Sequence, residues 1–243
     1  MYKAPLKEIR FVLHRLIDAN QLAQLPAYAE YTSEFTDSVL DEAAKFAQEV
    51  LDPINRVGDR EGARWTPEGV RMPAQFKEAY QQFVEGGWQQ LRAAPEFGGQ
   101  GAPTVLGTAV EELWASSSLA FKLCPMLTQG ATEALDRCGS PELKHKYLPK
   151  MVTGEWTGTM VLTEPQAGSD LAAVRTRAVA EGDHYRLYGQ KIFITYGDHD
   201  YTPNTIHMVL ARVEGAPAGV KGISLFLDRK STRLNSSHRT GTR

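Results

Sequence analysis

Apolar residues recur at helical spacing over the first two thirds of the chain and alternate after that. Phe35, Val39, Leu40, Ala43, Phe46, Ala47, Val50 and Leu51 form one stripe of an amphipathic helix. Thr32 or Ser33 is placed to cap its start, and Pro53 is expected to follow its end. A second stripe, Phe76, Tyr80, Phe83 and Val84, stops at Gly86-Gly87. A third runs from about Pro103 through Leu106, Val110, Leu113 and Trp114. A fourth, around Leu127, Ala131 and Leu135, ends at Gly139, which fits the residue just past a helix. Ser140-Pro141 then reads as an N-cap followed by proline at the first helical position. The helix it opens carries Leu143, Tyr147, Leu148 and Met151 and stops near Gly154.

After residue 156 the period falls to two. Thr157 to Thr163, Arg175 to Ala180, His184 to Tyr188, Gln190 to Thr195, Thr205 to Val213 and Gly222 to Leu227 read as strands, with Glu181-Gly182-Asp183 as a turn. Helices first and strands second imply an α+β protein with segregated domains rather than βαβ units. The expected organisation is an N-terminal extension (1–33) whose His14 to Leu25 stretch has helical character, an all-α domain (34–155) and a small antiparallel β-barrel or sandwich (156–227).

Composition narrows the class. The 243 residues are 42% hydrophobic and 23% charged, with 27 Lys+Arg against 29 Asp+Glu. That is enough apolar material for a core, and too even a charge for a dedicated nucleic-acid surface. No stretch has the roughly 18 uncharged apolar residues of a membrane helix, and Phe11-Val12-Leu13 is too short for a signal peptide. The reading is a cytoplasmic protein. Residues 228–243, DRKSTRLNSSHRTGTR, change composition abruptly. Asp228 to His238 back-translates in one frame onto a short-read sequencing adaptor, so the segment is expected to be a non-native tail on a truncated product. Without it 22 basic and 28 acidic residues remain, a net charge of −6.

Several motifs are uninformative. Gly98-Gly99-Gln100-Gly101 follows no strand and lacks dinucleotide-binding spacing. The six histidines show no metal-binding spacing, Ser116-Ser117-Ser118 lacks a nucleophile-elbow context, and Cys124 and Cys138 read as half-buried thiols. The segment with chemistry is Val161-Leu-Thr-Glu-Pro-Gln-Ala-Gly-Ser-Asp170, a strand entering a tight loop. Thr163 offers a hydroxyl beside its N–H, Pro165 fixes a bend, Gly168 permits close backbone approach, and Ser169 and Asp170 turn the chain. Such a loop either holds a planar polar ligand or is an ordinary turn between strands.

Thr163-Glu-Pro-x-Ala-Gly-Ser-Asp170 resembles the signature of the acyl-CoA dehydrogenases. Gly189-Gln-Lys-Ile-Phe-Ile-Thr195, Ala94-Pro-Glu-Phe-Gly-Gly-Gln-Gly101 and Tyr147-Leu-Pro-Lys-Met151 are similar to three further motifs of that family, in the same order. The extension Tyr2 to His14 resembles the family's longer bacterial branch, whose substrates include 3-methylthiopropionyl-CoA.

The resemblance implies tightly bound FAD and α,β-dehydrogenation of an acyl-CoA thioester to a trans-2-enoyl-CoA. Electron-transfer flavoprotein would be the acceptor, and the complete protein would be a homo-oligomer. Met160, Val161, Leu162 and Thr163 would line the flavin edge, with Thr163 donors at the pyrimidine end. Phe193 and Ile194 would pack at the ring system, and Thr195 would bond near N5. Gly168 and Ser169 would close the loop, Ser169 also facing substrate or the cofactor's phosphates. Phe193 stands where many members have Trp, and Met160 where an aromatic residue is common. No catalytic residue is assigned. The family's base is a Glu of its C-terminal helical domain or of a neighbouring helix, a region expected to be missing here, and Glu164 belongs to the motif loop. The truncated chain is therefore expected to be inactive. An acyl-CoA oxidase, or a flavin-free acyl-thioester-binding scaffold, are the competing readings.

Overall fold

The computed structural model describes residues 1–229. The chain divides into two compact units, one of Met1–Leu123 with Val152–Gly154, the other of Cys124–Met151 and the chain from Glu155 onward.

The first unit is helical. The extension forms α1 (Leu6–Phe11), a π-helical turn Val12–Leu16 and two short 3₁₀ turns. Ile9 and Leu13 are buried, and Arg10 reaches Asp37 at 3.0 Å and Asp41 at 2.7 Å. α2 (Ser33–Lys45) starts at Thr32, whose hydroxyl accepts from the Phe35 N–H at 3.3 Å. Thr32→Ala is expected to cost about 1 kcal/mol, read as a melting-temperature drop of roughly 2–4 °C. Pro53 does not end this helix. The chain runs through a π-helical stretch Phe46–Leu51 into α3 (Asp52–Glu61), with Pro53 in the first turn of α3. The wider π turn accommodates the hydrogen bond that proline cannot make.

A short antiparallel hairpin, β1 (Arg64–Thr66) and β2 (Gly69–Arg71), interrupts the helices unannounced by any alternation. α4 (Ala74–Glu85) carries the second stripe. The third and fourth stripes lie on two helical stretches, labelled together α5 (Thr104–Cys138), that meet at a kink at Ser118 (φ −154°, ψ 88°). Aromatic rings fill the core of this unit: Phe83 lies 5.2 Å from Trp114, 5.8 Å from Phe121 and 6.2 Å from Phe46.

In the second unit, α6 (Pro141–Val152) starts as expected, with the Leu143 N–H donating to Ser140 Oγ at 3.3 Å. The strands are β3 (Thr157–Val161), β4 (Arg177–Glu181), β5 (His184–Tyr188), β6 (Thr205–Val213) and β7 (Ile223–Arg229). They make a mixed sheet, not an antiparallel barrel. β3 and β4 run parallel to β6, while β5 pairs antiparallel with β4, and β7 with β6. Alternation shows which residues share a face but carries no information on the partner strand or its direction. Val161, Ala178, Val209, Ala211 and Phe226 form the buried core, with Tyr185, Leu187, Ile194 and Val213 packed against it.

β3 also lies close on α5. A Cβ at Gly158 would fall 2.7 Å from Ala131 Cβ and 2.9 Å from Met151 Cε, and the Gly158 N–H donates to Thr128 Oγ1 at 3.0 Å. Gln190 to Thr195 is not a strand, because Phe193 (φ 54°) and Tyr196 (φ 51°) take left-handed conformations that break extended backbone. Cys124 is buried and Cys138 exposed, rather than both half-buried. Asp228 and Arg229 pair in β7, and the rest of the expected non-native tail lies outside the described residues. Among the described residues no helix is long and apolar enough to cross a membrane.

Candidate functional site

The two motif segments of the second unit meet at the end of β3. Glu164 and Ala167 exchange backbone hydrogen bonds of 2.9 and 3.0 Å, which folds Pro165-Gln166 into a tight turn. Asp170 caps the following 3₁₀ turn, its Oδ1 accepting from the Ala172 N–H at 3.0 Å. The second segment docks on the first through the Ile192 N–H, which donates to the Thr163 carbonyl at 3.0 Å.

Glu164 is the fastener. It is 4% exposed, and its two oxygens accept from five donors. These are the Arg175 N–H (2.7 Å), the Thr176 N–H (3.0 Å) and hydroxyl (2.6 Å), Gln166 Nε2 (2.6 Å) and Lys191 Nζ (2.9 Å). Lys191 also donates to the Leu162 carbonyl at 2.8 Å, so its ammonium ties both motifs together. Burial alone would raise the Glu164 pKa. The Thr176 hydroxyl, Lys191 and the two backbone N–H groups outweigh it and hold the carboxyl at about 2. A Cβ at Gly189 would lie 2.2 Å from Thr176 Oγ1, so that glycine clears the way for the Thr176 hydroxyl. Glu164 is thus an ionised structural group, consistent with leaving it out of catalysis.

The remaining motif residues fall in distinct places. Val161 and Ile194 send their side chains into the sheet core. Met160 is half-buried in the register next to buried Gly158, and Leu162 contributes its carbonyl to Lys191. Gly168 and Ser169 lie exposed at the loop, with open space where a Gly168 Cβ would stand. Phe193 is 88% exposed on left-handed backbone, a conformation that costs a non-glycine residue about 1–2 kcal/mol. The hydroxyls of Thr163, Thr195 and Ser169 make no hydrogen bond among the described residues. The motif segments thus present an exposed aromatic side chain at Phe193 and a loop without side-chain obstruction at Gly168.

Pattern reading gave no structural role to four residues of this framework. Glu164 and Lys191 carried a signal, since a charge among apolar β-formers implies a buried partner. Arg212 did not. Among the described residues its guanidinium donates only to backbone carbonyls: Val174 (2.7 Å), Ala172 (2.7 Å), Gly219 (2.6 Å) and Pro217 (3.3 Å). His199, buried with no exposure, gave no sequence signal either.

Residues 33–155 match the family model described as the acyl-CoA dehydrogenase N-terminal domain, and residues 159–242 match its middle domain. The chain belongs to the acyl-CoA dehydrogenase family. It is 46% identical over 227 residues to the 3-methylmercaptopropionyl-CoA dehydrogenase of Ruegeria pomeroyi, a match covering 93% of this chain and 39% of that protein. The solved acyl-CoA dehydrogenase of Geobacillus kaustophilus superposes with a TM-score of 0.68 at 26% identity, over 82% of this chain and 48% of that one. The solved FAD complex of PigA shares the fold, with a TM-score of 0.64 at 24% identity, over 82% of this chain and 48% of that one. The chain therefore spans less than half the length of these relatives. The helical-then-strand architecture read from the pattern is that of the family.

Proposed function

We propose that this chain is the N-terminal and middle-domain part of an FAD-dependent acyl-CoA dehydrogenase acting on a short acyl-CoA thioester of the 3-methylthiopropionyl kind. The observation that carries the proposal is the docking of the two motif segments at the end of β3, where the Ile192 N–H donates to the Thr163 carbonyl at 3.0 Å and Phe193 next to it is 88% exposed. FAD would supply the redox chemistry, taking up the hydride lost from the acyl β-carbon. Thr163 would hold the pyrimidine end through N–H and O–H donors, where negative charge grows on reduction. Thr195 would donate near N5, and Phe193 would cover the ring. Ser169 would meet substrate or the cofactor's phosphates.

The base that removes the α-proton is not assigned within this chain, because Glu164, the carboxylate of the signature motif, is already committed to five donors. The base would come from the region that longer relatives carry, and these residues alone would not turn over acyl-CoA. An electron-transfer flavoprotein as acceptor, and a homo-oligomer for the complete protein, follow from the same reading. Both are tested by reconstitution of the complete enzyme.

The direct test is titration with FAD, followed by flavin fluorescence. Thr195→Val is expected to weaken binding about tenfold, since a flavin acceptor loses a donor worth about 1–1.5 kcal/mol. Equal affinity of the two proteins would remove Thr195 from the site. Absence of FAD binding in the complete wild-type protein would favour the scaffold reading instead.

A further inference from the structure

We infer that His199 is a positioning residue for the flavin-facing segment, holding residues 193–196 in place as a neutral imidazole bonded through Nε2–H to Thr157. The inference rests on the flavin reading of that segment, and it begins from backbone that needs support.

Phe193 and Tyr196 both take left-handed φ, at 54° and 51°, flanking Ile194 and Thr195. Two non-glycine residues stay there only when both flanks are held. The N-terminal flank is held by Lys191, through the Leu162 carbonyl and Glu164, and by the Ile192 N–H on the Thr163 carbonyl. The Gly197 N–H closes a turn on the Ile194 carbonyl at 3.0 Å. The Tyr196 hydroxyl meets the Tyr201 hydroxyl at 3.4 Å, and His199 lies buried between these two residues in the chain.

The His199 ring is fully buried and bonded at both nitrogens. Nδ1 lies 3.1 Å from the Tyr201 backbone nitrogen, which can only donate, so Nδ1 must carry its lone pair. A neutral ring then bears its proton on Nε2, 2.9 Å from Thr157 Oγ1. Thr157 in turn lies 3.1 Å from Thr205 Oγ1, and the Thr202 hydroxyl donates to the Asn204 carbonyl at 2.9 Å. The order of donors and acceptors runs one way, from the Tyr201 N–H through the imidazole to β3. A second proton on the ring would set Nδ1–H against the Tyr201 N–H and break it.

Two aromatic rings pack against the imidazole. Tyr201 and Tyr196 lie 5.0 and 5.8 Å from it by ring centroid, and burial pushes both phenols up from their ordinary pKa. Thr157 opens β3, and Thr163 follows its end. The segment is therefore clamped to one stretch of chain at two points, Leu162–Glu164 on one flank and Thr157 on the other. Loss of the second clamp would free Tyr196 and, through it, Thr195.

The test uses two variants, His199→Phe, which keeps ring bulk without polar atoms, and Thr157→Val, which removes the hydroxyl that meets His199 Nε2 and also Thr205 Oγ1. Nitrogen NMR of ¹⁵N-histidine-labelled wild type is expected to show a non-protonated Nδ1 at His199. Both variants are expected to raise amide exchange over residues 192–198 at least about tenfold while β6 and β7 stay protected. They should weaken FAD binding by a similar factor and shift the bound flavin's absorption at saturation, which a loss of global stability alone would not do. In the exchange of residues 192–198 the double variant should fall short of the sum of the two singles, because both break the His199–Thr157 link.

Unchanged exchange in the segment would overturn the inference, as would an Nδ1-protonated ring. So would unchanged flavin affinity and spectrum in both variants. If wild type binds no FAD, the flavin reading fails separately, and the exchange and NMR results still decide whether His199 holds the segment.

Discussion

Glu164→Gln is expected to destabilise the protein by about 3 kcal/mol, read by urea or thermal unfolding at pH 7. Glutamine matches the shape but offers one accepting oxygen. Its NH₂ would face donors now bonded to Oε2, the Arg175 N–H at 2.7 Å and Gln166 Nε2 at 2.6 Å. Lys191, whose side chain is 11% exposed, would keep a largely buried charge without its counterion. The pH dependence gives an independent reading. A carboxyl lowered from 4.5 to about 2 stabilises the folded state by roughly 3 kcal/mol. Because the folded-state pKa is the lower one, that contribution is complete above about pH 4.5 and is lost as pH falls toward 2. The gap between wild type and Glu164→Gln should therefore be widest near neutrality and close in acid. A gap that stays constant down to pH 2 would mean that the carboxylate's charge plays no part in the fold.

Arg212→Met should cost about 2–3 kcal/mol and loosen two loops at once. The guanidinium joins Ala172 and Val174, beyond the signature motif, to Pro217 and Gly219 of the β6–β7 connection. Methionine keeps the apolar stem and leaves these carbonyls to find water, at about 1 kcal/mol or less for each exposed one. Limited trypsin digestion is the sensitive measurement, with faster cleavage expected after Lys221 in the variant. Arg212→Lys should restore less than half of the loss. A point-like ammonium cannot reproduce a planar fork that spans four acceptors. If lysine restores wild-type resistance, the residue contributes only its positive charge or its stem.

The helices were legible because each must hide one face, and a 3.6-residue period writes that requirement into the chain. Thr32 and Ser140 were legible as caps for an equally local reason, since each satisfies an N–H three residues away. Pro53 misled because the same residue that ends one helix is tolerated in the first turn of the next. The third and fourth stripes were legible as separate helical stretches, and the kink at Ser118 parts them. The motif segments were legible as a pair only through resemblance. Nothing in the alternation of residues 190–195 announces that Phe193 leaves extended backbone. A residue exposed toward a ligand obeys the ligand's geometry and not the core's.

The sequence alone determined the order of helices before strands, the buried stripes, the helix caps and, through four ordered motifs, the family. All of these rest on short-range patterns or on spacing along the chain. The tertiary structure decided which strands pair and in which direction, because pairing depends on contacts between residues such as Thr157 and Thr205 that lie far apart in sequence. It also decided that Glu164 is a fastener, that Arg212 is a backbone clamp and that His199 is buried with a hydrogen-bond partner at each ring nitrogen. A carboxylate, a guanidinium and an imidazole have no fixed role in a sequence, because their charge state and purpose come from the donors and acceptors that folding places around them.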